Sequence, residues 1–172
     1  KEFTVVADAA MISSENITQL NQNEINYIVG ARLGNLSIQL LGTIDEQIVR
    51  QDGKSIRIKT ELGYLICSYS SVRYRKDLYE MNKQIEKAKQ VVEVPSKSRK
   101  LKFTKINDQK LELNEELIEK TKKLLGIKGY YTSLEENIAD NKTIIERYHE
   151  LYKIEQAFRV SKGDLQTRPI YH

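Results

Sequence analysis

The opening segment most constrains the fold: a β-branched apolar run, Phe3 to Ala7, stops on Asp8, and a second apolar run, Asn26-Tyr27-Ile28-Val29-Gly30-Ala31, follows a polar interval. Between them Ser13-Ser14 offer a helix cap, and Ile17 and Leu20 share one helical face. This order predicts strand, turn, helix and strand, a β-α-β unit of an α/β sheet. Buried strands need further chain to cover them. With 172 residues, 40% of them hydrophobic, there is enough for one core plus a smaller inserted unit.

From about Leu33 the pattern changes. A helical stretch runs to Val49, Gln51-Asp52-Gly53 form a turn, Ile56 and Ile58 alternate within Ser55 to Lys59, and Tyr64 to Tyr69 reads as a strand. Leu78, Met81, Ile85, Ala88 and Val92 recur at spacings of three and four, which predicts one apolar stripe on a helix from about Arg75 to Glu93. So short a seam suits packing on its own domain better than a dimerising coiled coil. Leu101 to Ile106 and Lys110 to Leu113 are expected strands, followed by a helix from about Asn114 to Leu125. Gly126 to Ser133 reads as a strand returning to the sheet, and a polar loop, Glu135 to Asn141, follows. The last helix should start near Asp140 to Thr143, where Thr143 and Glu146 have capping-box spacing, and end at about Ser161 before Gly163 and Pro169. The expected division is a core made of residues 1–33 and 126–172, split by a β-rich unit with a helix, 34–125.

Charge and cysteine content narrow the function classes. Lys and Arg number 28 against 24 Asp and Glu, a net charge of +4. Lys97, Arg99, Lys100, Lys102 and Lys105 form a run with no acid among them, which fits either a solvated face or contact with nucleic-acid phosphates. Cys67 is the sole cysteine, so a disulfide framework and a cysteine zinc site are excluded and a reducing interior is expected. No stretch approaches the roughly 18 apolar residues that span a bilayer, and the start at Lys1-Glu2-Phe3 is too short and acidic for a signal peptide. A cytoplasmic protein without a membrane partner is expected. The missing initiator Met and the end at Tyr171-His172 lead us to expect a piece of a longer chain. ATP hydrolysis and serine-hydrolase chemistry lack their glycine-rich loop and nucleophile elbow.

In the last helix, Tyr148, Leu151, Glu155, Phe158 and Lys162 share one row at spacings of three and four. A carboxylate inside an apolar stripe must be paired, protonated or metal-bound. Pairing of Glu155 with Lys162 or Arg159 at the rim of the core satisfies this, and so does a metal. Asp8 is equally open: an Asp closing a buried strand is often a turn residue, yet the carboxyl ends of strands are where α/β sheets place ligands. His149 falls off the row and reads as a surface residue, and Tyr130-Tyr131 as packing residues of a strand.

The stretch Tyr148-His-Glu-Leu151-Tyr-Lys-Ile-Glu155-Gln-Ala-Phe-Arg159-Val-Ser-Lys162 resembles the Y-R-E-K signature of insertion-sequence DDE transposases of family four, with Leu151 standing where the family has Arg. Ser161 to Leu165 and Arg168-Pro169-Ile170-Tyr171-His172 also resemble the family, Val5 to Met11 is similar to the segment holding its second catalytic Asp, and Tyr27 to Leu33 to the strand after it. The resemblance implies a ribonuclease-H-like core split by an insertion, with Asp8 and Glu155 as catalytic metal ligands and the first catalytic Asp upstream of this chain. In such enzymes three carboxylates hold two Mg²⁺ ions for in-line attack on a DNA phosphodiester. By the same resemblance, Tyr148 and Lys162, with Arg159 beside them, would contact DNA phosphate. The implied partners are double-stranded DNA with terminal inverted repeats and a second copy of the chain on that DNA. The rival expectation is a non-catalytic DNA-binding or oligomerisation module.

Overall fold

The structure is a computed structural model that describes residues 3–9, 13–93, 101–107 and 110–163; for Glu155 and residues 157–163 it describes the backbone alone. The expected β-α-β opening forms. Strand β1 (Thr4–Ala7) is parallel to β2 (Asn26–Ala31), Thr4 facing Asn26 and Ala7 facing Val29, with helix α1 (Ser14–Gln22) between them. Ser13 caps α1, its hydroxyl accepting from Asn16 N–H at 3.2 Å, and Ile17 is the buried residue of the helix. In β2 the run Tyr27-Ile28-Val29 is buried, as an interior strand requires.

A turn of 3₁₀ helix (Leu33–Asn35) precedes α2 (Ile38–Gln47), so the single helix expected from Leu33 breaks where Ser37 caps the second piece. Next come β3 (Ser55–Thr60), β4 (Gly63–Tyr69), α3 (Ser71–Glu93), β5 (Thr104–Asn107), β6 (Lys110–Leu113), α4 (Glu115–Lys123), β7 (Ile127–Thr132) and α5 (Asn141–Gly163). The five-stranded sheet has the order β1-β2-β7-β4-β3, and β7 runs antiparallel to β2 with Gly30 opposite Tyr130. The chain is thus a mixed α/β protein. Strands β5 and β6 form a separate antiparallel pair. Among the described residues no helix is long and apolar enough to cross a membrane.

By contacts the chain divides into two compact units. One comprises the described residues of Lys1–Ala31, Arg57–Ile66 and Gly129–His172, the other Arg32–Ile56 and Cys67–Lys128. Residues 57–66, which the sequence reading puts in the inserted stretch, therefore group with the two chain ends; the reason is that β4 hydrogen-bonds beside β7 in the five-stranded sheet. The core of the first unit gathers Ile28, Ile66, Tyr130, Leu134, Ala139, Ile144 and Tyr148, with Val6 and Ile145 packed against it. The second unit buries Met81, Ala88, Phe103, Ile118 and Leu125, joined by Leu78 and Ile85, so the predicted stripe of α3 is its core face. Burial of one such apolar side chain is worth roughly 1.5–3 kcal/mol.

An Asp carboxylate fixes the start of two helices, and one of them, α3, begins ahead of the sequence reading. Helix α3 begins at Ser71, ahead of Arg75, because the Asp52 carboxylate accepts from Ser71 N–H and Ser71 Oγ, both at 2.6 Å. Those two bonds hold the Asp52 carboxyl below the usual carboxylate range, the hydroxyl bond being the larger cause. At α5 the cap is Asp140, whose Oδ1 accepts from Thr143 N–H at 2.8 Å, so Thr143 is a first-turn residue and not the cap.

Candidate active site around Asp8

Asp8 follows directly on β1, and its half-buried carboxylate is held by two donors. Its Oδ1 accepts from Ala9 N–H at 2.7 Å and from the Tyr148 hydroxyl at 2.9 Å, a residue 140 positions later in the chain. A hydroxyl donating to a carboxylate makes one of the stronger hydrogen bonds a protein forms. Among the described residues Oδ2 of Asp8 has no hydrogen-bond partner.

Tyr148 reaches Asp8 because three features of the first unit direct it there. Helix α5 lies against β1 and β2. The Tyr148 ring, 8% exposed, meets Tyr130 of β7 edge-on, with centroids 4.9 Å apart and planes at 66°. Gly30 of β2 leaves the path open: a Cβ there would lie 2.6 Å from the Tyr148 hydroxyl and 3.1 Å from Ala9. Any larger residue at that point displaces the hydroxyl or the chain around Ala9.

The entry into α5 is fixed separately. Arg57 of β3 donates from Nε to Asn141 Oδ1 at 2.9 Å and from its two terminal nitrogens to the carbonyls of Leu134 (2.8 Å) and Ala139 (2.7 Å). Its guanidinium also stands 5.4 Å from the Tyr64 ring centre. Asp140 beside it is held below the ordinary carboxylate range, chiefly by the Thr143 hydroxyl and then by the Thr143 N–H. Sequence reading missed Arg57, since an Arg between Ile56 and Ile58 looks like the polar position of any alternating strand.

No family model, curated protein or solved structure gives this chain a significant match. Glu155 lies on α5 two helical turns past Tyr148, about 10.5 Å further along the axis at 1.5 Å per residue. The side chains of Glu155, Arg159 and Lys162 lie outside the described residues, and so do Lys97, Arg99 and Lys100. Lys102 is exposed just before β5, its ammonium 5.0 Å from the Phe103 ring. Among the described residues no three His, Cys, Asp or Glu side chains gather closely enough to hold a metal ion.

The other singled-out residues take structural places. Tyr130 and Tyr131 are buried in β7, and His149 is exposed with Nε2 at 3.3 Å from the Tyr130 hydroxyl. Cys67 is fully buried, and burial pushes its thiol up to about 12, so the thiolate needed for reaction or metal binding is not formed near neutral pH.

Proposed function

We propose that this chain is part of the catalytic domain of an insertion-sequence DDE transposase, cutting and rejoining DNA at the ends of the element. One observation carries the reading: the Tyr148–Asp8 hydrogen bond ties the signature-bearing helix α5 to the strand end that holds the candidate catalytic Asp. A β-α-β arrangement with Asp8 at the carboxyl end of a parallel strand supports it, since ligands of such sheets bind there.

In this reading Asp8, Glu155 and a third carboxylate from a preceding strand would hold two Mg²⁺ ions, which activate the attacking oxygen and stabilise the leaving one. Asp8 suits this role: carboxylate oxygens suit Mg²⁺, and Asp8 keeps Oδ2 clear of other bonds among the described residues while Oδ1 is fixed in direction. Glu155, two turns past Tyr148 on the same row, is the second carboxylate, and Lys162, two turns further, meets the phosphate of the cleaved strand as a point charge. Arg159 and the run Lys97, Arg99, Lys100 and Lys102 add sequence-independent phosphate contacts.

The test uses the longer protein with DNA carrying its terminal inverted repeats. Asp8→Asn and Glu155→Gln should each lower Mg²⁺-dependent cleavage by about 10³-fold or more while end binding persists. The present chain alone should not cleave. Full cleavage by either variant, or end binding with no cleavage by the intact protein, would leave the DNA-binding module as the better account.

A further inference from the structure

The second unit carries a groove of about 560 Å³, a size typical of small-ligand sites. Its floor is Tyr69 and Tyr74, with ring centres 6.3 Å apart and planes tilted by 45°, flanked by Met81 and Leu125; Arg50 and Lys122 stand at the rim. Two π faces beside a thioether and an aliphatic wall form a surface for a flat, apolar ring. Two cations at one edge ask for an anion on that ring.

The groove is built. Gly126, at φ +77°, closes it from behind: a Cβ there would come within 2.8 Å of both Tyr69 Cε2 and Tyr74 Cβ. Its N–H donates to Asp77 Oδ2 at 3.2 Å, and its carbonyl accepts from Ser70 N–H at 2.9 Å, so the backing is fixed on both sides. At the rim, Arg50 is oriented by Asp45 and by the Lys123 carbonyl. Lys122 bonds Glu119, which raises its pKa first through that hydrogen bond and keeps it charged. Each of these two cations bonds a carboxylate through one nitrogen and keeps further N–H donors for a phosphate.

We propose that this groove binds a nucleotide, its base on the tyrosine pair and its phosphate on Arg50 and Lys122, either as a free mononucleotide or as one unit of a single DNA strand. Asn82, exposed on the same rim, offers an amide to the base edge. This site uses none of the residues around Asp8 and stands whether or not the chain belongs to a transposase.

Calorimetric titration with deoxyadenosine monophosphate, deoxyadenosine, inorganic phosphate and a short single-stranded oligonucleotide tests it. The monophosphate should bind more tightly than either half alone. Tyr69→Phe should retain binding, while Tyr69→Leu and Lys122→Ala should each weaken it about fivefold or more, the scale of one stacking contact. Lys122 is exposed, so Lys122→Ala should leave the melting temperature unchanged and decides the matter if Tyr69→Leu does not fold. Tighter binding of the oligonucleotide than of the monophosphate identifies a strand as the source; the reverse identifies a free nucleotide. Equal binding of phosphate and monophosphate, indifference to Lys122→Ala, or no binding of monophosphate and oligonucleotide at millimolar concentration overturns the proposal.

Discussion

Helices α3 and α5 have the same length, 23 residues, yet they are held in different ways. Helix α3 presents Tyr74, Leu78, Met81, Ile85 and Ala88 to one core, so its apolar stripe is anchored over most of its length. Helix α5 commits Ile144, Ile145 and Tyr148 in its first two turns, after which Tyr152, Lys153, Ile154 and Gln156 are exposed, Tyr152 at 59% and Ile154 at 55%. The apolar contacts described for α5 are thus confined to its first turns, whereas those of α3 run along most of the helix.

Truncations at the two anchors give the largest expected effect. Tyr148→Ala should destabilise the protein by about 3–5 kcal/mol, on the scale of a buried aromatic, and Met81→Ala by about 2–5 kcal/mol. Denaturant unfolding followed by circular dichroism measures both. If Tyr148→Ala costs under about 1 kcal/mol, well below the range for such cavities, α5 is not anchored through this ring and the contrast fails.

Next comes Gly30→Ala, expected to cost about 1–3 kcal/mol because the new methyl presses on the Tyr148 hydroxyl and Ala9. The penalty should shrink in a Tyr148→Phe background, where the hydroxyl is gone. An unchanged penalty there would assign the strain to Ala9 alone.

Acid should loosen both helix starts by a smaller amount. Asp52 and Asp140 have carboxyl pKa values lowered from 3.8 by Ser71 and Thr143. A lowered folded pKa contributes stability above the unfolded value and loses it as pH falls through the folded one. Helical signal should therefore hold above about pH 4, the unfolded carboxylate value, and decline below it. Asp140→Asn, which keeps a capping side chain without the charge, should remove α5's share of that decline. A decline of the same size in Asp52→Asn, Asp140→Asn would place the acid sensitivity elsewhere.

The smallest effect belongs to Tyr152→Ala, within about 0.5 kcal/mol of the parent, as for a surface site. A larger loss would show that α5 is anchored beyond its first turns.

What could be read from the sequence was local. The β-branched run before Asp8, the Ser13 cap, the buried triplet Tyr27-Ile28-Val29 and the α3 stripe are all written in neighbouring residues, and each forms as expected. What escaped depends on partners far along the chain: Asp52 starting α3, Arg57 fixing the entry to α5, and Tyr148 placing its hydroxyl on Asp8. Helical spacing located Tyr148 on the Glu155 row, but only the strand packing of Gly30 reveals that its ring is core and its hydroxyl touches a carboxylate. The start of α5 was legible to within Asp140 to Thr143, and the bond from Thr143 N–H to Asp140 Oδ1 picks Asp140 as the cap.

The span of Arg57's bonds carries a consequence for the order of folding. Its partners Leu134, Ala139 and Asn141 lie 77 to 84 residues downstream, and the Asp8–Tyr148 bond closes a loop of 140. Closing such loops costs chain entropy before any contact repays it. During synthesis the first unit must wait for residue 148 to emerge, whereas the stretch from α3 to α4 holds most of its own core within a contiguous segment. The nascent protein should thus gain protease resistance first between residues 71 and 125 and at Asp8 last, so the strand bearing the candidate catalytic carboxylate is completed only when nearly all of the described chain has been made.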